Sequence, residues 1–292
     1  MTTLRFRFAK YGAMRYLGHL DLLRYFQKAV RRADIPVAYS GGFSPHQIMS
    51  FAMPLSVGLT SEGEYFDIGL EEPGGPSTSA PDETPSLSGQ AEETGNSSLS
   101  GASPVTSAAP LLTAEEYRAA LQEAMVDGID ILSAGFLPEG GKKAMAEVAA
   151  AGYIIYYKGL LPDRSPEEIS SFFQTADKIP VTKKTKRGER ELDLKQLVYR
   201  FESGTFSEGF FAAHPCLEQN PDFHMASGET YFYTLVNASS GDNVRPEFLM
   251  QALTGVDFEA DGFLNLGVHR TDLYSGSKEE GFQSLSNCLN YS

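Results

Sequence analysis

The order of strand and helix patterns constrains the fold of this 292-residue chain more than any other feature. An alternating strand, LRFRFAK, is followed by a helix from Leu17 to Ala33, then by short strands and by the segment EYFDIGL. A second helix, TAEEYRAALQEAM, begins with the capping-box spacing of Thr113 and Glu116 and leads into the apolar stretch GIDILSAGFL. Strand, helix, strands, helix and strand is the order of a ferredoxin-like α+β sandwich.

The same order recurs in the second half of the chain. AGYIIYYKGLL predicts a strand, SPEEISSFFQ a helix capped by Ser165, and the next segment two strands around a basic turn. ETYFYTLVN predicts a further strand, RPEFLMQAL a helix with Pro246 in its first turn, and FLNLGVHRTDLY the last strand. We therefore predict an α+β fold with two tandem ferredoxin-like modules, at residues 1–140 and 141–275, and a flexible tail at residues 276–292.

Residues 71–110 interrupt the first module. This segment consists mainly of Gly, Ser, Pro, Thr and acidic residues, with almost no large apolar side chains. Such a composition buries too little surface to offset the conformational entropy of an ordered chain. We predict a disordered insertion within the first module.

The composition argues against several classes of protein. No run of about 18 apolar residues indicates a membrane span, and the N-terminal residues lack the apolar block of a secretory signal, so we predict a cytoplasmic protein without membrane contact. Cys216 and Cys288 lie far apart, without the spacing of a disulfide framework, a zinc site or an iron–sulfur cluster. The histidines, including those of HPCLEQNPDFH, show no standard ligand spacing, so we predict neither a metal nor a cofactor.

The net charge of −14 is distributed unevenly along the chain. Residues 1–70 hold eight basic and five acidic residues, whereas residues 71–116 hold eight acidic residues and no basic ones. Residues 205–292 hold twelve acidic and three basic residues. Because a polyanion binds to a local basic patch, the N-terminal part keeps nucleic acid open as a ligand.

The first helix carries a row of basic side chains. Its apolar residues recur at helical spacing and predict a buried face, while Arg24, Lys28 and Arg31 recur along another face. Asp21 lies one turn before Arg24, so the alternative interpretation is a solvated face with one helical ion pair.

The stretch AYSGGFSPHQ follows this helix directly and forms a kinked, polar elbow. Its glycines can adopt positive φ and let backbone N–H groups approach an anion, while the charge comes from the neighbouring helix. We predict that the basic row and the elbow form one anion-binding surface. Its predicted residues are Arg24, Lys28, Arg31, Ser40, Gly41, Gly42, Ser44 and His46.

A second basic feature is the turn TKKTKRGERELD. Its cations can neutralise several phosphates, which would make RNA binding depend strongly on salt. The alternative is a hairpin tip that is simply solvated. The predicted contact residues are Lys183, Lys184, Lys186 and Arg187.

Few residues could carry acid–base chemistry. His19 and Asp21 flank the start of the first helix and His46 lies in the elbow, so a histidine and an acid could be assembled for proton transfer. For His19 the alternative is a histidine that is hydrogen-bonded locally at the helix start.

The stretch from YLGHLDLLRYF through SGGFSPHQIMSFAMPLSVGL to EGEYFDIGL resembles the N-terminal signature of the radical SAM-linked proteins. This is a bacterial family of unknown function, encoded beside or fused to radical S-adenosylmethionine proteins. The shorter matches TKKTKRGERELDL, RPEFLMQAL and VHRTDLY extend the similarity over most of the chain, whereas Gly18 and Gln47 depart from the family pattern. The resemblance implies a radical SAM partner protein, whose cluster motif this chain lacks.

At the level of fold, the tandem modules also resemble the repeat-associated RNA-binding proteins of CRISPR systems. Three hypotheses follow. The first, which we favour, is a non-catalytic RNA-binding or substrate-presenting accessory protein that works with a radical SAM enzyme in RNA modification or processing. The second is a metal-independent ribonuclease or RNA-modifying enzyme that uses His19 or His46. The third is a protein-binding scaffold, which predicts no RNA retention.

Overall fold

The computed structural model describes residues 1–71, 112–158, 164–185, 188–218, 220–258, 265–287 and 289. The predicted disordered insertion, apart from Glu71, lies outside these residues. Part of the predicted basic turn also lies outside the described part of the chain, namely Lys186, Arg187 and the side chain of Lys184.

The first half of the chain forms the elements of one module. In chain order they are β1 (Thr3–Lys10), α1 (His19–Arg32), β2 (Met49–Phe51), β3 (Thr60–Gly69), α2 (Ala114–Glu123) and β4 (Ile129–Phe136). A 3-10 turn, Gly12–Tyr16, links β1 to α1. A one-turn helix, α3 (Ala144–Glu147), follows β4.

The second half of the chain repeats this order with additional short elements. In chain order they are β5 (Ala150–Tyr157), α4 (Pro166–Thr175), β6 (Pro180–Thr185), β7 (Gly188–Asp193), α5 (Leu194–Leu197), β8 (Val198–Thr205), α6 (Phe210–Ala213), α7 (Pro215–Glu218), β9 (Thr230–Asn237), α8 (Pro246–Thr254), β10 (Leu266–Ser277) and β11 (Gly281–Ser284). The strands β6 and β7 form a separate hairpin around the predicted basic turn. The strand that joins the main sheet beside β9 is therefore β8, which the sequence pattern did not separate from that turn.

Among the described residues, nine strands form one sheet, in the order β4-β1-β3-β10-β5-β9-β8, with β2 paired to β3 and β11 paired to β10. The order is therefore β4-β1-β3-β2 within the first module and β10-β5-β9-β8 within the second. Both orders place the first strand of a module between its last strand and its third, as in ferredoxin-like folds. The predicted α+β class with two ferredoxin-like modules is confirmed.

Helices cover one face of each module because their apolar residues recur at helical spacing. In α1 the buried side chains are Leu22, Phe26, Ala29 and Val30, as predicted. They share a core with α2, β1 and β3, whereas α4 and α8 contribute to the core of the second module. None of the described helices is long and apolar enough to cross a membrane.

The predicted start signals of the helices are formed. The Thr113 hydroxyl accepts a hydrogen bond from the backbone N–H of Glu116, whose carboxylate accepts one from the backbone N–H of Thr113. Ser165 caps α4 in the same way, and Pro246 occupies the first turn of α8. These contacts satisfy backbone groups that a helix end leaves unpaired.

The two modules join through β3 and β10. These strands pair in parallel, with His269 opposite Thr60 and Arg270 opposite Ser61. All ten residues of β3 are buried. Gly63 allows the close approach, because a Cβ atom there would lie 2.3 Å from Asp272 Cα, with further backbone atoms of β10 at 2.6 Å.

A buried ion pair crosses this junction. Arg270 Nη1 lies 2.9 and 3.1 Å from the two carboxylate oxygens of Glu64, and both side chains are almost fully buried. The guanidinium also donates to the Tyr153 hydroxyl and to the carbonyl oxygens of Met53 and Pro54. Burial of a charge requires this degree of hydrogen bonding, since the desolvation cost is otherwise not offset.

A second buried arginine lies on the face of the first module away from α1 and α2. Arg5 lies 2.8 Å from Asp67 and 2.8 Å from Glu147 of α3. Asp67 also accepts a hydrogen bond from the backbone N–H of Ala144. These contacts attach α3 to β1 and β3.

Residues 206–218 and 220–229 cover the face of the second module that lies opposite its helices. Phe206, Leu217 and Phe223 pack there against Ile154 and Tyr156 of β5. β5 is therefore buried on both faces.

The C-terminal residues differ from the predicted flexible tail. β10 extends to Ser277, and β11 pairs with it. The Phe282 ring packs at a tilt against Tyr199, with ring centroids 4.7 Å apart, and Leu285 is fully buried in the second core. These apolar side chains anchor the segment to the sheet.

We predict that Gly63→Ala destabilises the protein by about 1–3 kcal/mol, because the added methyl group overlaps backbone atoms of β10. Urea denaturation measures this change. Gly41→Ala is the matched control, since a Cβ atom at Gly41 meets nothing within 4 Å. A Gly63 variant as stable as the wild type would contradict the close approach of β3 and β10.

Candidate functional site

The predicted basic row lies on the exposed face of α1. Arg24, Lys28 and Arg31 are all exposed, on the side of the helix away from its buried residues. Arg24 lies 3.5 Å from Asp21 in a highly exposed ion pair, which contributes little to stability. We call Arg24, Lys28 and Arg31 the basic stripe.

Arg32, the last residue of α1, has a different role. Its guanidinium donates a hydrogen bond to the carbonyl oxygen of Ala124 at 2.7 Å and lies 5.9 Å from the centre of the Tyr25 ring. Arg32 therefore fastens the end of α1 to the end of α2. It does not belong to the basic stripe.

The predicted elbow forms a small closed loop, residues 40–46, which we call the elbow loop. The backbone N–H of Ser40 donates to the His46 carbonyl at 2.8 Å, and the Ser40 hydroxyl lies 2.7 Å from His46 Nδ1. Gly41, Gly42 and Ser44 are exposed at the tip. Gly42 has φ +107°, a conformation that favours glycine, whereas Gly41, the other glycine considered for positive φ, does not adopt one.

A buried glutamine attaches the base of the elbow loop to α1. Gln47 Nε2 donates to the carbonyl oxygen of Gln27 at 3.2 Å, and the Gln47 side chain is buried. Gln27 lies three residues after Arg24 and four before Arg31, so all three lie on one side of the helix. The loop is therefore held beside the basic stripe at the level of Gln27.

Phe43, at the tip of the elbow loop, was not among the predicted site residues. Its relative exposure is 111%, so the whole ring faces solvent. A large aromatic side chain in this position buries nothing in the described structure. The signal in the sequence was an aromatic residue placed between a glycine pair and Ser-Pro, where a turn needs only small or polar residues.

The candidate acid–base residues lie in three separate settings. The His19 ring packs edge-on against Phe51, with centroids 5.7 Å apart. Asp21 pairs with Arg24, and His46 is engaged by Ser40. None of these described contacts joins His19 or Asp21 to His46.

The basic hairpin β6–β7 contacts the loop that precedes α8. Lys183 Nζ donates to the carbonyl oxygen of Asn243 at 2.9 Å, and Arg190 lies 2.6 Å from Asp242. Two of its cations are therefore engaged within the second module. The described contacts do not link the hairpin to the elbow loop.

Sequence reasoning missed a cluster of polar side chains at the junction of β3 and β10. Glu62 Oε1 lies 2.7 Å from His214 Nδ1 and 3.9 Å from His269 Nε2. His269 Nδ1 lies 2.9 Å from the Thr60 hydroxyl, while its Nε2 has no hydrogen-bond partner among the described residues. The signal was the run of polar residues in SEGEYFDIGL, which is atypical of a strand buried on both sides.

Two side chains at this junction, His269 and Cys216, have pKa values that favour their uncharged forms. Burial, followed by the nearby charge of His214, lowers the pKa of His269 from its ordinary 6.5 to about 3. Burial, followed by the charge of Glu62, raises the pKa of the Cys216 thiol to about 12. Cys216 is therefore a thiol at neutral pH and a poor nucleophile.

The contact from His214 to Glu62 attaches this covering segment to β3. Among the residues that the structure describes, no group of three His, Cys, Asp or Glu side chains could hold a metal ion. The junction cluster therefore presents a hydrogen-bonded imidazole and carboxylate, with His214 Nδ1 2.7 Å from Glu62 Oε1.

Comparison with known families matches residues 3–81 and 87–246 to DUF2344, described as an uncharacterized protein conserved in bacteria. The match covers most of the chain, so this chain belongs to that family. No curated protein matches it. Among solved structures, an unknown protein from Galdieria sulphuraria aligns over 94% of this chain and 99% of its own at 11% identity, with a TM-score of 0.20, which is too low to support an argument.

We predict that stability falls as the pH drops from 6.5 toward 3, with His269 contributing up to about 1.4 kcal/mol per pH unit. In this range the unfolded chain binds a proton at His269 and the folded chain does not, so acid favours unfolding. His269→Asn retains a partner for Thr60 and removes this titration. The free energy of unfolding of His269→Asn should therefore fall less steeply with pH.

His46→Asn is the matched control, because His46 is exposed in the elbow loop. Urea denaturation at several pH values gives the slopes. If the slope of His269→Asn equals that of the wild type, His269 is not held neutral by burial.

Proposed function

We propose that this chain is a cytoplasmic, non-catalytic RNA-binding accessory protein that works with a radical SAM enzyme in RNA modification or processing. The observation that carries the RNA-binding part is the fully exposed Phe43 ring on a braced loop beside the basic stripe. Proteins that bind single-stranded RNA combine aromatic side chains, which stack on bases, with cations, which contact the phosphate backbone.

Phe43 supplies the stacking surface. The Phe43 ring is fully exposed, so its faces are open to stacking by a base. The elbow loop is closed by Ser40 and His46 and anchored by Gln47, which limits the entropy lost when a base stacks on the ring. The open space around Gly41 and Gly42 leaves room for a nucleotide backbone.

The basic stripe supplies the phosphate contacts. Its side chains are exposed and extend along α1 beside the loop, so they can follow a flexible strand. Such contacts are independent of base sequence and depend strongly on salt. The basic hairpin, with Lys183 engaged by Asn243, is a secondary candidate for backbone contacts.

We propose a radical SAM enzyme as the partner because the sequence resembles the radical SAM-linked proteins. The family to which the chain belongs is conserved in bacteria. The described contacts engage His19 with Phe51, Asp21 with Arg24 and His46 with Ser40, and this favours an accessory role over a ribonuclease, since acid–base catalysis requires such groups to act on one bond.

We predict that Phe43→Ala weakens binding of a single-stranded oligoribonucleotide by about 5- to 150-fold, because base stacking is worth about 1–3 kcal/mol. Arg31→Ala should weaken binding and reduce the slope of log K against log salt by about 0.7, the value for one lost contact to a single strand. Fluorescence anisotropy across a salt series measures both effects.

Arg200→Ala is the matched control, because Arg200 is also an exposed arginine and lies on β8, at the end of the sheet opposite the first module. It should change neither affinity nor slope. Gel analysis of the same samples tests the alternatives. RNA fragments that disappear in His46→Ala would favour the ribonuclease, and the absence of any RNA binding would favour the protein-binding scaffold.

We also predict that the tagged chain co-purifies with a radical SAM protein from cells that express both. Ribonuclease treatment of the lysate separates direct contact from bridging by RNA. Recovery of the chain without the radical SAM protein, with and without this treatment, would contradict the proposed partnership.

A further inference from the structure

A pocket of about 360 Å³ lies where the two modules meet, apart from the elbow loop. The first module contributes Arg15 and Tyr16 from the 3-10 turn, and the second contributes Lys158, Asp222, His224 and Val268. Its volume lies at the lower end of the range for small-molecule sites.

Backbone contacts fix the walls of this pocket. Gly58 N–H donates to the Arg15 carbonyl at 2.9 Å, and Lys158 N–H donates to the Asn265 carbonyl at 2.9 Å. The Tyr156 hydroxyl donates to the Asp222 carbonyl at 3.1 Å. The charged side chains therefore start from positions that the fold determines.

The hydrogen bonding of the pocket side chains is incomplete. Arg15 Nη1 lies 2.5 Å from Asp222 Oδ1, yet Arg15 Nε and Asp222 Oδ2 are both buried without a hydrogen-bond partner among the described residues. Buried polar atoms are almost always paired in native proteins, and an unpaired one costs free energy. One unpaired donor and one unpaired acceptor in the same pocket indicate a ligand that offers both an acceptor and a donor.

The charge of the pocket favours an anion. Arg15 and Lys158 outweigh the single carboxylate of Asp222. Desolvation, followed by the charge of Arg15, lowers the pKa of Lys158, so the two cations already repel each other. An anionic group between them would remove this repulsion, and a phosphate accepts from both ammonium and guanidinium groups.

The remaining walls suit a planar organic group. Val268 and Leu59 are apolar, and the Arg15 guanidinium lies 4.6 Å from the centre of the Tyr16 ring. Rings and guanidinium planes of this kind stack on nucleobases. Asp222 Oδ2 can accept a hydrogen bond from a ribose hydroxyl or a base N–H.

We propose that this junction pocket binds a nucleotide with a terminal phosphate, held by Arg15 and Lys158 while Asp222 accepts from the sugar or the base. Two sources supply this chemistry: a free nucleoside monophosphate and the 5′-phosphorylated end of an RNA strand. The RNA-end source rests on the proposed function, whereas the free-nucleotide source does not.

Isothermal titration calorimetry with AMP, adenosine and inorganic phosphate tests the pocket directly. AMP should bind at least about tenfold more tightly than adenosine, because only AMP carries the charged group. Lys158→Ala should abolish this preference. Lys143→Ala is the matched control, since Lys143 is exposed at the start of α3.

Asp222→Asn has the opposite expected effect. It removes the carboxylate that competes for Arg15, so inorganic phosphate should bind more tightly than it does to the wild type. This gain cannot result from partial unfolding. Equal binding of AMP and adenosine, no binding of any probe, or equal effects of Lys158→Ala and Lys143→Ala would each overturn the proposal.

A second pair of probes distinguishes the two sources. If the ligand is an RNA end, a 5′-phosphorylated oligoribonucleotide binds more tightly than its 5′-hydroxyl counterpart, and Lys158→Ala removes the difference. If the ligand is a free nucleotide, AMP binds and the two oligoribonucleotides are equivalent. Phe43→Ala should leave AMP binding unchanged, so failure of the RNA surface and failure of the pocket give different results.

Discussion

The buried pair of Arg270 and Glu64 is the interaction on which the arrangement of the two modules depends. Arg270 is on the last strand of the second module and Glu64 on the third strand of the first. Removal of one partner from such a pair typically costs about 3–5 kcal/mol, because the other charge stays buried and uncompensated. A shift of β10 along β3 by one residue would have the same effect, since it would turn Arg270 to the other face of the sheet. The pair therefore specifies one register for the junction.

That register brings distant segments of the chain together. Glu62 on β3 meets His269 on β10 and His214 of the covering segment. The 3-10 turn that carries Arg15 meets Asp222 of the same covering segment. The junction cluster and the junction pocket are thus both consequences of pairing between β3 and β10, and neither could exist in an isolated module.

Much of the fold could be predicted from the sequence, because it depends on local periodicity. The buried face of α1 and the cap at Thr113 follow from residues within one or two helical turns. The junction could not be predicted in this way, since Thr60 and His269 pair across more than two hundred residues. The position of the elbow loop followed from its glycines, but the exposure of Phe43 is a property of the whole surface. The polar residues of β3 also fit the pattern of a half-exposed strand, and their burial depends on partners on β10 that lie far away in the chain.

The proposed pocket and the proposed RNA surface lie near different points along α1. Arg15 and Tyr16 of the pocket precede the start of α1 at His19, whereas Gln47 anchors the elbow loop at Gln27. Eight residues of helix between these points span about 12 Å. Arg24 lies between them on the exposed face, so phosphates of a strand that runs from the pocket to Phe43 would pass a cation on the way. A strand end held in the pocket would also raise the effective concentration of the next bases at Phe43, because the second contact becomes intramolecular. The two surfaces would then act as one extended site whose polarity is set by the terminal phosphate.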